Sequence, residues 1–224
     1  MSNEPKILVW DVESTGVETD TDRIVQLFIA VCDGQGNFLN TWEWVINPGV
    51  EVPEEASNVH GFTTAFLEEQ GRDPEESLRE AWNVFIEYND LTWIAYNLSF
   101  DLSILDSEFA RHLGISDFGT TSKNGTRLFD PYLVDRVKDK YRKGARKLEN
   151  LAEHYGVPFD PEAAHKADYD VLVTAKVAVA VARKYGVPSN QEQSEMYRKW
   201  ATGLEEYFRK TDPDATVNKG WPLK

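Results

Sequence analysis

The chain has 224 residues, 41% of them hydrophobic and 12% aromatic, which is enough apolar material for one real core and too much for a disordered chain. It contains no run of about 18 apolar residues, so no membrane span is expected, and its polar first residues lack the long apolar centre of a secretory signal. Cys32 is the only cysteine, which excludes an intramolecular disulfide and fits a cytoplasmic location, and a formal net charge of −14 sets the molecule as a whole against polyanions.

In chain order, Lys6 to Asp11 (KILVWD) is a short apolar run that reads as a buried strand, and Arg23 to Cys32 and Leu39 to Ile46 read as two more. Gly34 to Asn37 turns between the last two, and the short connections favour an antiparallel meander. Short helices are expected around Glu54 to Asn58 and Thr63 to Glu69. Asp73-Pro74-Glu75-Glu76 opens a longer helix with Leu78, Ala81, Trp82, Phe85 and Ile86 as its apolar stripe. Leu91 to Tyr96 predicts a fourth strand, followed by a helix carrying Leu102, Leu105, Phe109 and Leu113. Residues 114–126 read as a loop, Thr126 to Asp130 as a fifth strand, and Pro131 as the start of another helix. Helices are then expected over Lys147 to Tyr155, Ala167 to Tyr185 and Gln191 to Arg209, with no clear pattern from Thr211 to Lys224. A meander followed by alternating helices and strands implies an α/β fold around a five-stranded mixed sheet.

Three places set acids where strands end or helices begin. Asp11 and Glu13 close the first strand, and alternation puts them on one face, where two like charges repel unless a cation sits between them. Asp101 falls in the first turn of a helix that Asn97 or Ser99 can cap. Asp170 enters the long helix, Asp168 suits a capping role, and His165 just before it titrates in the range of a general base. Each feature taken singly is as well explained by a polar turn, a helix dipole or a surface histidine. Several converging carboxylates are what phosphodiester hydrolysis by two divalent cations about 4 Å apart requires, and hard oxygen ligands suit Mg²⁺ or Mn²⁺.

The charge is uneven. From Arg136 to Lys147 seven basic residues face only Asp139, a net +6 that leaves −20 on the remainder. Arg142, Lys143, Arg146 and Lys147 are the candidates for gripping a nucleic-acid backbone, against the plainer reading of a solvated loop.

Taken together, DVESTG (Asp11 to Gly16), NLSFD (Asn97 to Asp101) and HKADYD (His165 to Asp170) resemble the three motifs of the DEDDh (DnaQ-like) 3′→5′ exonucleases, in order. HGFT (His60 to Thr63) is similar to a further element of that superfamily, and the ending WPLK is like those of some actinobacterial and phage-encoded members. The resemblance covers about residues 5–185 and implies a ribonuclease-H-like fold with sheet order 3-2-1-4-5, with 5–187 expected as the exonuclease domain and 188–224 as a C-terminal helix and tail. It implies Asp11, Glu13, Asp101 and Asp170 as ligands of two cations, His165 as the base that activates water, and nucleoside 5′-monophosphates as products. It also implies that Ser14, Thr15, Gly16 and Val17 hold the terminal 3′-OH of a single-stranded or frayed DNA end. His60, Phe62, Asn97 and Phe100 are expected around the last base or two, where stacking tolerates any sequence. The other readings are an RNA-directed exoribonuclease or oligoribonuclease of the same superfamily, and a non-catalytic module attached to a polymerase. The second fits poorly with the presence of all five motif residues. No polymerase domain fits in this length, which leaves two expectations open: assisting a separate polymerase or another replication or repair partner, or acting alone in repair, recombination or nucleotide scavenging. The side of the last helix bearing Trp200 and Phe208 leaves three uses open: folding back, pairing with a second copy, or docking on that partner.

Overall fold

The computed structural model describes residues 6–116, 118, 126–164 and 166–223. Strand β2 (Ile24–Cys32) is buried along its whole length, which is why it reads as a continuous apolar run and not as an alternation. It lies between β3 (Phe38–Val45) and β1 (Ile7–Ser14), antiparallel to both, with Ile7 opposite Cys32 and Asp11 opposite Phe28. On the other side of β1 come β4 (Thr92–Ile94) and β5 (Leu128–Phe129), both parallel, so the sheet order is β3-β2-β1-β4-β5. The mixed sheet and its order are those expected.

The alternation of β1 divides the core. Leu8, Trp10 and Val12 face α3 (Pro74–Glu87) and α4 (Leu98–Leu113), in a cluster that also holds Leu78, Phe85, Leu102 and Phe109. Val9 faces the other way, with Phe28, Ala30 and Ile94, toward α5 (Pro131–Lys138), α6 (Leu148–Tyr155) and α7 (Ala167–Tyr185). Two short helices, α1 (Glu54–His60) and α2 (Thr64–Gln70), cross between β3 and α3. Among the described residues no helix is long and apolar enough to cross a membrane.

The boundaries moved where pairing overrides local pattern. β1 runs three residues past Asp11 because Val12 and Glu13 continue to pair with Leu27 and Gln26. β4 and β5 are shorter than expected, since β4 pairs with β1 only at Ile7, Leu8 and Val9 and with β5 only at Leu128 and Phe129. The last helix, α8 (Asn190–Phe208), folds back onto the body: Tyr197, Ala201 and Trp221 join the core cluster on the α3–α4 side of the sheet. Its fully buried Gln193 accepts from Asp130 N–H at 2.9 Å and donates to Leu128 O at 2.7 Å.

Candidate active site

Strand alternation carries Asp11 and Glu13 to the α7 face at the end of the central strand, and the first turn of α7 brings Asp170 to them. One carboxylate oxygen from each of the three lies within 4.8 Å of the others. Asp101 comes from the first turn of α4 on the opposite side, buried, and accepts a hydrogen bond from Val12 N–H. It lies close enough for its charge to act on Asp11.

The electrostatics are those of like charges held together in a poorly solvated place. Burial, then Asp101, Glu13 and Asp170, hold the Asp11 carboxyl well above the ordinary carboxylate range. Burial, then Asp170, pushes Glu13 up to about 7. Burial also raises Asp101, against the hydrogen bonds that favour its charged form. Among the described residues no lysine or arginine pairs with Asp11, Glu13 or Asp101. An all-oxygen donor set with this much unrelieved negative charge fits a hard divalent cation. His165 lies outside the described residues.

Beside the carboxylates opens a groove of about 500 Å³. One wall is residues 12–17, the other is Pro53, Glu55, Ala56, Val59 and His60 at α1, and Phe100 lies between. Of the residues expected to hold substrate, Ser14, Thr15, Gly16, Val17, His60 and Phe100 therefore meet in one place. Val17, 78% exposed, stands at the mouth. Burial pulls His60 below its ordinary value; its Nδ1 accepts from Phe62 N–H at 3.1 Å. His60 Nε2 is buried without a hydrogen-bond partner of good geometry, although the Ser14 carbonyl is near enough to favour the protonated ring.

Several expected roles are corrected. Thr15 is buried, and its hydroxyl is committed to Asp22 at 2.9 Å, so its side chain shapes the groove from behind. Phe62 does not line the groove; its ring stacks between His60 and Phe66, with centroids 5.5 and 5.8 Å away. Asn97 does not cap α4 through its side chain. It adopts the left-handed conformation (φ 60°), tolerable for asparagine, which aims its own N–H and that of Leu98 at the buried carboxylate of Asp130. Asp130 also accepts from Leu133 N–H at 3.2 Å, so it ties α4 to α5 and is structural. Asp168 is exposed and caps nothing, since Lys166 holds the N-cap position of α7.

The basic strip separates into two kinds of residue. Arg142 and Arg146 both pair with Asp135, which is fully buried and also accepts from Tyr155 Oη at 2.7 Å. Arg146 further donates to the Asp139 carbonyl at 2.6 Å. These two arginines are inward-facing struts, not the backbone clamp expected, because a buried carboxylate without a cation is costly. Lys143 and Lys147 are exposed. Asp135, Asp139 and His154 also come within ligand distance of one another, but the guanidinium groups already neutralise that cluster.

Sequence reasoning found His60 but missed the rest of the α1 wall, Pro53, Glu55, Ala56 and Val59. Its signal was available: α1 buries no residue, yet Ala56, Val59 and His60 share one side of it, an apolar stripe on an otherwise polar helix.

A mixed sheet of this order, with carboxylates gathered where its central strand ends, defines a ribonuclease-H-like nuclease. The chain belongs to the exonuclease family RNase_T, whose sequence profile matches residues 8–178. Over 183 residues it is 31% identical to the PolC-type DNA polymerase III of Staphylococcus haemolyticus; the match takes in 81% of this chain and 12% of that polymerase. Among solved structures it is similar to the zinc-ion-bound complex of E. coli ExoI with single-stranded DNA (TM-score 0.70, 18% identity, 91% of this chain and 45% of that one). It is also similar to Exonuclease X in complex with 5′-overhanging duplex DNA (TM-score 0.59, 16% identity, 85% of this chain and 99% of that one). The chain thus spans about an eighth of the PolC-type relatives it matches, and close to the full length of the Exonuclease X chain.

Proposed function

We propose that this protein is a 3′→5′ exonuclease that removes nucleotides one at a time from a single-stranded or frayed DNA end, releasing nucleoside 5′-monophosphates. The observation that carries this is the convergence of Asp11, Glu13 and Asp170 within 4.8 Å, with Asp101 alongside, next to a groove of about 500 Å³ that Glu13 helps to line. Asp11, Glu13, Asp101 and Asp170 would hold two divalent cations, Mg²⁺ or Mn²⁺. Such ions neutralise charge on the attacking and leaving oxygens and make hydroxide available near neutral pH. Asp11, influenced by all three other carboxylates, would be central to holding the ions. His165 takes the proton of the attacking water; this assignment rests on its motif.

The groove supports the polarity of digestion. Its Ser14–Val17 wall lies next to the carboxylates, so a strand end seated there presents its last phosphate to them. The mostly apolar lining of Val12, Val17, Ala56, Val59 and Phe100 suits a base without selecting among bases. The names of the relatives favour DNA, and PolC favours a setting in replication.

The test uses 5′-labelled single-stranded DNA, mismatched duplex and RNA of the same sequence, with Mn²⁺, with EDTA, and with Asp11→Ala. A ladder shortening from the 3′ end is expected on DNA, lost in EDTA and reduced at least ~100-fold by the variant. Equal or faster digestion of RNA would reassign the substrate. Activity that survives both EDTA and the variant would end the metal-site reading.

A further inference from the structure

The turn after β1 is clamped by one carboxylate that lies outside the acidic cluster. Asp22 Oδ1 accepts from Thr15 Oγ1–H at 2.9 Å, and Oδ2 accepts from Glu18 N–H at 2.8 Å. Thr15 Oγ1 accepts in turn from Arg23 N–H at 3.0 Å, and Thr15 N–H donates to Arg23 O at 2.9 Å. The carboxylate sits so close beneath Gly16 that a Cβ there would lie 2.4 Å from Oδ2. Glycine is needed at 16 to admit this clamp, although its φ is not positive.

The clamp itself has a fixed footing. Buried Glu108 accepts from Ile24 N–H at 3.3 Å, and Arg111, paired with Glu108, donates to Asp20 O at 2.9 Å. Both residues belong to α4, the helix that carries Phe100 and Asp101. The segment from Asp20 to Ile24 is therefore tied to the same helix that supplies one metal candidate and the aromatic floor of the groove.

We propose that Asp22 is a positioning residue for the 3′-terminal nucleotide. By bridging Thr15 and Glu18 it fixes the Ser14–Val17 wall relative to Phe100 and the carboxylates, without touching substrate or cation. This rests on the exonuclease reading above. A wall that drifts by a fraction of an ångström misplaces the terminal sugar, and binding of the end suffers before the chemistry does.

The central variant is Asp22→Asn, which keeps the size and removes one acceptor. KM for a 3′-OH single-stranded end rises about 5–20-fold while kcat stays within about threefold, the scale of one or two lost hydrogen bonds. The preference for a 3′-OH end over a 3′-dideoxy end shrinks, which a purely structural role would not produce. Mn²⁺ affinity, read by calorimetry without substrate, is unchanged. Thr15→Val removes the hydroxyl that donates to Asp22 Oδ1, and with it the acceptor of Arg23 N–H, and must reproduce the KM shift, should Asp22→Asn unfold. In an Asp22→Ala background Gly16→Ala meets no carboxylate, so its penalty is smaller there than in the wild type. Unchanged KM, additive Gly16 and Asp22 effects, or a matching fall in Mn²⁺ affinity each overturn the inference while wild-type digestion persists. A wild type that shortens no 3′ end overturns this inference and the exonuclease reading together.

Discussion

Replacing Glu13 with glutamine removes a charge that the metal-free fold tolerates poorly. Burial and Asp170 push the Glu13 carboxyl from an ordinary 4.5 up to about 7. The folded protein therefore binds this proton more tightly than the unfolded chain does, and its stability falls as pH rises from about 4.5 to 7. Above pH 7 the full penalty applies: about 3 kcal/mol for the shift, reduced to roughly 1–3 kcal/mol because water reaches part of the side chain. Asp11 is raised for the same reasons, so the wild-type profile slopes in the same direction at both groups. Glutamine keeps the shape and never ionises. In EDTA, thermal unfolding followed by circular dichroism should place Glu13→Gln about 3–10 °C above the wild type at pH 8 and level with it at pH 4.5. Adding Mn²⁺ should reverse the order at pH 8, since the cation stabilises whichever protein binds it more tightly. The reasoning fails if the glutamine variant is the less stable at pH 8 without metal, or if the difference does not change with pH.

Three further outcomes follow from the packing and exposure. Arg146→Ala should lower stability by about 3–5 kcal/mol in urea, because it leaves Asp135 short of a partner in the interior, whereas Lys143→Ala and Lys147→Ala should stay within about 0.5 kcal/mol. The lysine pair, and not the arginine, should flatten the salt dependence of DNA binding in fluorescence anisotropy if any of the strip meets phosphate. Gln193→Ala strands the N–H of Asp130 and the carbonyl of Leu128 and should cost about 2–3 kcal/mol in the same urea titration. A loss below about 0.5 kcal/mol would mean that α8 is not integral to the body.

What was legible in the sequence was what repeats or alternates locally. The period of β1 placed Asp11 and Glu13 on one face, and the structure finds them there with Asp170. The long apolar stripe of α7 was legible to the residue, since its ends are set by glycine and by the loop before Ala167. What was not legible depended on partners far along the chain. Thr15 reads as part of a turn that holds the 3′-OH, and nothing local shows that its hydroxyl is taken by Asp22. Arg142 and Arg146 read as members of a surface charge run, because a charge count does not reveal that Asp135 is inside. Phe62 sits in a motif and so reads as functional, while its neighbours His60 and Phe66 draw its ring away from the groove.

The same strand that carries the repelling acids also carries the heaviest packing of the core, and the two are back to back. Asp11 and Glu13 point toward α7, while Trp10 before Asp11 and Val12 between the two acids point into the α3–α4 side. Trp10 is fully buried, edge-on to Phe85 at 5.4 Å and to Trp93 at 6.2 Å. Those rings join Phe109 and Phe118 in one aromatic cluster. Burying side chains of this size supplies a few kcal/mol each, the same order as the penalty estimated for Glu13. The antiparallel ladder to β2 then prevents the strand from relieving the repulsion by rotating, because a one-residue slip would send every apolar side chain to the wrong face. A site that must hold carboxylates together before any cation arrives is thus set on a strand paired along both edges and packed by its heaviest side chains on one face.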